Sequence, residues 1–205
     1  MEDYIHLHVH TNYSILDGQS KVTRLVDKAI ADGMKGMAIT DHGVMFGIKE
    51  FADYCAKVNK GRKEKGEEPF KPIFGCEMYV ARRTMHDKDK SMHDNSGYHL
   101  IVLAKNYNGY KNLIKLVSHA WVDGYYYRPR TDRAELEKYH EDLIVCSACI
   151  AGEIPSKIIH GDIDGAREAC EWYHRVFGDD YYLELQRHEV NYPCQSRGFP
   201  LATKG

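Results

Sequence analysis

The sequence predicts an α/β fold whose parallel strands close toward a barrel, with a site at the rim where the strands end. Three observations predict it. Short apolar runs alternate with stretches of helical period from residue 5 to residue 186, the pattern of successive β–α units. Residues able to bind metal stand at or near the ends of those runs: His8 and His10, Asp17, His42, Glu77, His99 and Cys149. Side chains delivered to one place from several strand ends are what the C-terminal face of a β/α barrel collects.

The elements follow in order. IHLHVH (5–10) is the first expected strand, and its period of two puts His6, His8 and His10 on one face, each two steps of about 3.3 Å from the next. A polar turn with Asp17-Gly18 follows. Ser20 is the expected N-cap of a helix in which Val22, Leu25, Val26, Ala29 and Ile30 recur at helical spacing, stopped by Gly33. GMAIT (36–40) is a buried strand ending in Asp41-His42-Gly43. A helix runs from about Phe46 into the charged stretch 59–68. PIFGCEMYV (72–80) and YHLIVLA (98–104) are the third and fourth strands, and the polar residues between them read as a mobile surface loop. Residues 109–121 are helical, LIVCS (143–147) is a fifth strand, 153–160 and 163–177 are helices, and YYLELQ (181–186) is a sixth strand. Residues 191–205 show neither period and read as an expression-derived or frame-shifted tail, so residues 1–190 form one domain cut after its sixth strand.

Composition narrows the classes. With 43% hydrophobic and 28% charged residues the chain can bury a core, which argues against disorder. A net charge of −2 gives no electrostatic case for tight nucleic-acid binding by the domain as a whole, so any such contact is local. No run approaches eighteen apolar residues, and Met-Glu-Asp is unlike a secretory start. Six cysteines without such a start read as reduced thiols in the cytoplasm, with no membrane partner.

The site residues differ in how strongly they stand out. His8 and His10 share a strand face just before a polar turn and are the strongest ligand candidates. His6 lies one layer deeper and reads as core. Asp17 is either a carboxylate ligand or the Asp of an Asp-Gly turn. His42 is placed to bind metal, with Asp41 accepting from its ring to fix the tautomer. Glu77 lies in an apolar strand, where a carboxylate needs a cation partner. His99 follows the same logic, although single strand histidines are commonly structural. In CSAC, Cys149 lies past the strand end and reads as a ligand, whereas Cys146 points into the strand; a thioredoxin-like redox pair does not fit the surroundings. YYYRPR (125–130) suits either base stacking and phosphate contact by Tyr126, Arg128 and Arg130, or an interdomain interface. Mixed N, O and S donors favour Zn, with Mn, Fe or Mg open at carboxylate-rich positions.

HxHxxxxxxDG, TDHG (40–43), GCE (75–77), the strand-opening histidine and the late cysteine together resemble the PHP (polymerase and histidinol phosphatase) superfamily. GMAITDHGVMFG (36–47), DGYYYRPRTDRAELEKYHEDLI (123–144), CSACIAGEIP (146–155) and YYLELQRHE (181–189) resemble its branch in bacterial replicative DNA polymerases, over about residues 4–190. The resemblance implies a distorted seven-stranded, TIM-like β/α barrel and a site for two or three divalent metals. It implies the ligand set His8, His10, Asp17, His42, Glu77, His99 and Cys149. It also implies a late Asp-x-His, which this chain does not contain. The activity implied is phosphoester hydrolysis, foremost 3′–5′ exonuclease proofreading, within a DNA polymerase that meets DNA, a sliding clamp and a proofreading subunit. A metal-stiffened scaffold and a stand-alone phosphatase are the competing expectations.

Overall fold

The computed structural model describes residues 4–186. The expected tail at 191–205 and the domain limit at 190 lie outside the described residues. Among the described residues the helices and strands run α1 (Val22–Ala31), β1 (Gly36–Ile39), α2 (Ile48–Glu64), β2 (Lys71–Ala81), β3 (Gly97–Ala104), α3 (Tyr107–Val122), β4 (Arg130–Thr131), α4 (Arg133–Lys138), β5 (Leu143–Cys146), α5 (Glu153–Ile159), α6 (Ile163–Phe177) and β6 (Tyr181–Tyr182). The strands form one sheet in the order β1-β2-β3-β5-β6, with β4 beside β2.

The sheet is mixed, which corrects the expectation of parallel strands throughout. β2 pairs antiparallel with β3, and β3 antiparallel with β5, while β1–β2, β2–β4 and β5–β6 are parallel. The reason lies in the link from β2 to β3. Residues 82–96 hold no crossover helix, and without one the chain returns antiparallel. β2 is long enough to change partners: Lys71–Phe74 lie against β1, and Tyr79–Val80 lie against β4. Between them a single parallel bridge joins Glu77 to His42.

The first expected strand is an extended segment without a regular ladder. Ala38 donates to the His6 carbonyl and Thr40 to the Val9 carbonyl, each at 2.8 Å. Three residues on one side thus match two on the other, the count of a bulge, and the period of two breaks before His8. His6 is therefore exposed against the Tyr4 ring and does not pack in the core. Ser20 is not an N-cap either. α1 starts after Lys21 without a side-chain cap, and the Ser20 carbonyl instead accepts the Asn12 N–H at 2.9 Å. The sixth strand is shorter than expected, because only Tyr181 and Tyr182 pair with β5.

Strand alternation sorts β2 between two environments. Cys76, Met78 and Val80 pack with Leu100, Leu113, Leu116, Leu136, Trp172 and Tyr173 under the helices. Glu77 and Tyr79 project the other way, toward the strand-end site. The 82–96 link is not a loose surface loop. Arg83 binds Asp94 through two hydrogen bonds, Met85 is buried, and the fully buried Arg130 donates to the carbonyls of Met85, Asp87 and Asp94.

Candidate metal centre

Glu77 is the hub of the site. Its residue is 1% exposed, and its carboxylate meets four histidines. Oε1 lies 3.2 Å from His8 Nε2 and 3.0 Å from His99 Nδ1. Oε2 faces His42 Nδ1 and lies 3.7 Å from His10 Nε2. Cys149 Sγ adds a thiol 3.6 Å from His99 Nδ1 and 3.9 Å from Glu77 Oε1. Asp17 accepts from His42 Nε2 at 2.7 Å.

Each group arrives from a different part of the fold. His8 and His10 come from the kinked segment along β1, and their Nε2 atoms are 3.1 Å apart. His42 follows the end of β1, Glu77 lies in β2, His99 opens β3, and Cys149 follows β5. The chain then needs tight turns. Gly18 packs on the Thr11 carbonyl so closely that a Cβ would sit 1.9 Å from its oxygen, and Gly43 has φ +63 with Pro129 against it. A side chain at either position would push the turns that carry Asp17 and His42 away from the centre.

The surrounding shell holds the rings in place. Ser14 Oγ lies 3.1 Å from His10 Nδ1 and donates to Asp41 Oδ1 at 2.7 Å. Asp41 accepts from the Thr11 N–H and hydroxyl as well. Asp41 therefore does not bind the His42 ring, as the sequence led one to expect. Side chains alternate at the end of β1, so Asp41 turns toward the 11–14 turn while His42 turns inward. Glu184 Oε1 meets His8 Nδ1 at 2.7 Å, and Gln186 Nε2 donates to the same carboxylate oxygen at 2.7 Å. Glu184 was missed by sequence reasoning. Its signal is a lone acid between Leu183 and Leu185 after a strand, the context that singles out Glu77.

The YYYRPR segment divides sharply. Tyr126 is half-buried, and Arg128 is exposed with its guanidinium 5.5 Å over the Tyr79 ring. That ring is in turn stacked on His42. Arg130 is 0% exposed, which corrects its expected role in touching DNA. Its guanidinium is used within the fold, on the carbonyls of the 82–96 link and of Gly124. The reason is pairing: Arg130 sits in β4 against Tyr79, and the 82–96 link and Gly124 close around its guanidinium.

Electrostatics concentrate charge on the hub. Burial pushes the Glu77 carboxyl up, but hydrogen bonds from His42, His8 and His99 outweigh it and hold the group well below the usual carboxylate range. Burial lowers His8, yet Glu184 and Glu77 raise it to about 10. His99 is likewise lowered by burial and raised to about 9 by Cys149 and Glu77. His10 is lowered, by burial and by the neighbouring charges of His42 and His8 against the pull of Glu77. Burial raises the Cys149 thiol, but hydrogen bonds to His99 and the Ala151 backbone bring it below its ordinary value.

The donors fit divalent metal. His42 Nδ1 and Glu77 Oε2 are buried and face each other, with no further hydrogen-bond partner among the described residues, so a nitrogen and a carboxylate oxygen converge on one point where a cation would satisfy both. Three groups of donors have atoms within 4.8 Å of one another: His8-His10-Glu77, His10-Asp17-His42 and His42-Glu77-His99. They share His10, His42 and Glu77, the geometry of adjacent ions rather than of one closed structural site.

Comparison with known proteins places the chain in a family by sequence. The family model described as "PHP domain" matches residues 6–188. DNA polymerase III subunit alpha of Borreliella burgdorferi is 45% identical over 187 residues, 91% of this chain and 15% of that protein. The protein of the same name from Treponema pallidum is 42% identical over 189 residues, 92% of this chain and 15% of that protein. The chain thus spans about 15% of the length of these relatives. A candidate metal-dependent phosphoesterase from Bifidobacterium adolescentis superposes at TM-score 0.36 and 15% identity, covering 68% of this chain and 50% of that one. That likeness is too distant to bear on function.

Proposed function

The chain belongs to the PHP domain family, and from that premise we propose that it is the metal-dependent phosphoesterase domain of a bacterial replicative DNA polymerase, acting as a 3′–5′ exonuclease. The observation that supports it best is the convergence of three groups of donors that share His10, His42 and Glu77, with the buried His42 Nδ1 and Glu77 Oε2 facing each other at their junction. His8, His10, Asp17, His42, Glu77, His99 and Cys149 would hold two or three divalent ions, with Zn favoured by the N, O and S donors. Such ions supply Lewis-acid polarisation of a phosphoryl oxygen and neutralise charge on the attacking and leaving groups.

The chain's own residues do the rest. Glu77 anchors the four imidazoles, and Glu184 and Ser14 fix the tautomers of His8 and His10. Tyr79 walls the site beside His42, and Arg128 on its outer face is placed to meet a phosphate at the mouth, with Tyr126 beside the same segment. Partners in this reading are DNA, a sliding clamp and a proofreading subunit, in the cytoplasm. Among the described residues no helix is long and apolar enough to cross a membrane.

The test is release of nucleotide from a 3′-labelled primer by the full-length protein with added Zn or Mn. Metal-dependent release that is absent in Glu77→Gln is expected. Metal binding by the unaltered protein with no release of nucleotide would leave the scaffold reading instead.

A further inference from the structure

We propose that Trp121 and Tyr125 form a platform on which bases of a single-stranded nucleic acid stack as its end enters the metal centre. The position of that end rests on the phosphoesterase reading above, whereas stacking itself does not. The platform is built where α3 ends. Gly124 lets the chain double back, since a Cβ there would sit 1.9 Å from the Arg130 carbonyl oxygen. The return lays the Tyr125 ring on Trp121, with centroids 5.5 Å apart and planes 19° from parallel. Trp121 is fixed at its edge, where Nε1–H donates to the Gly43 carbonyl at 2.7 Å. Stacking covers one face of each ring, yet Trp121 keeps 43% exposure and Tyr125 49%, against 8% for the core Trp172. Two large rings held in place and half open to water mark a binding surface.

Each step from the platform to the metal centre is a contact. Gly43 follows His42 in the chain, and a Cβ on it would lie 2.7 Å from Pro129 Cγ and 3.2 Å from the Tyr79 ring. The Tyr79 ring is stacked on His42 at 6.2 Å, and the Arg128 guanidinium lies 5.5 Å over it. Tyr125, Arg128 and Pro129 belong to one short reversal, closed by the Arg130 N–H donating to the Gly124 carbonyl at 3.4 Å. The order is therefore donor cluster, then Tyr79 with Arg128, then Trp121 with Tyr125.

Bases are favoured over an apolar protein face because of Arg128. It is exposed and makes no ion pair among the described residues, so an unpaired cation stands between the centre and the platform. An apolar partner laid over these rings would bury that charge at a cost. A backbone phosphate would satisfy it through the planar guanidinium. Phosphate contact beside base stacking is how single strands are held. The neighbouring Tyr126 is engaged from within, because the guanidinium of buried Arg130 lies 5.6 Å over its ring.

The experiment compares, with the full chain in EDTA, the anisotropy of a labelled oligothymidylate and of an abasic strand of the same length and charge. The wild type is expected to bind the thymidylate about fivefold tighter or more, the lower end for one stacked base. Tyr125→Ala and, separately, Trp121→Leu should bring the two strands close to equal affinity while leaving the salt dependence of each unchanged, because no cation is removed. Tyr107→Ala, an exposed ring at the opposite end of α3, should keep the wild-type preference. Oligothymidylate should also quench the tryptophan emission of the wild type and not that of Trp121→Leu, whose remaining tryptophan is the buried Trp172. A wild type that binds both strands alike, or neither, overturns the proposal and leaves the rings to a protein partner. So does a preference that Tyr125→Ala retains. EDTA keeps hydrolysis out of this measurement, so failure of the phosphoesterase reading and failure of the platform are read separately.

Discussion

His8 Nδ1 lies 2.7 Å from Glu184 Oε1, a contact that joins segments 176 positions apart and links the two ends of the sheet. His8 comes from the segment along the free edge of β1, and Glu184 from the residues just past β6. The Glu184 N–H in turn donates to Ser147 Oγ at 2.9 Å, next to the end of β5. One carboxylate therefore orients a ring of the centre and ties it to the far side of the sheet.

Glu184→Ala is expected to lower metal affinity by about 10- to 100-fold, the usual effect of removing a carboxylate behind a ligating histidine. Glu184→Gln, which still accepts at one oxygen, should retain more. Competition with a fluorescent chelator measures both. Affinity unchanged in the alanine variant would mean that His8 is oriented without it.

Glu77→Gln keeps the volume of the hub and removes its charge. The wild type is expected to lose thermal stability in EDTA and the variant to show almost no further loss, because metal bound at the site is folding energy. Elemental analysis should find metal in the wild type and little in the variant. Equal metal content would remove Glu77 from the centre.

The metal-free protein should also show a distinctive pH profile. His8, raised to about 10, and His99, raised to about 9, favour the native state while they carry a proton. Their contribution is full below the ordinary histidine value of about 6.5 and is lost as pH climbs through 9 to 10. Glu77, held low, adds stability above its ordinary value that disappears as pH falls. His10 is lowered and runs opposite to the other rings, offsetting part of the alkaline limb. In EDTA the melting temperature should peak between about pH 5 and 6.5 and decline toward about pH 10. His8→Gln should flatten that decline, and a wild-type melting temperature constant from about pH 6.5 to 10 would contradict it.

Much of this site was legible because its donors are short-range signals. His8-x-His10, Asp41-His42 and Glu77 stand at strand ends, where alternation dictates direction, and the structure gathers His8, His10, His42 and Glu77 within one cluster. What could not be read was set by pairing between distant segments. The extra residue between His6 and Val9 is visible only against β1, and it is what turns His6 outward. The antiparallel return into β3 depends on how residues 82–96 fold, and that in turn depends on Arg130, which arrives only after α3. A basic residue in an aromatic run suggests a surface, yet burial decides its role.

The contrast between Arg130 and Arg128 makes the last prediction. Arg130 is fully buried and donates to four backbone carbonyls, those of Gly124, Asp94, Met85 and Asp87. Arg130→Leu fills a similar space and leaves those acceptors without a donor, each at about 1–3 kcal/mol when it stays dry. Relaxation and water entry recover part of this, so a loss of about 3 kcal/mol or more is expected in urea melts of the full chain. Arg128 is exposed, and its contact with the Tyr79 face is worth about 0.5–1 kcal/mol at most. Arg128→Gln should therefore leave stability nearly unchanged while weakening oligonucleotide binding at low salt. Both arginines lie in one hexapeptide and carry the same charge, so composition treats them alike. If Arg128→Gln destabilised the fold as much as Arg130→Leu, the division of YYYRPR into one anchoring and one outward-facing arginine would be wrong.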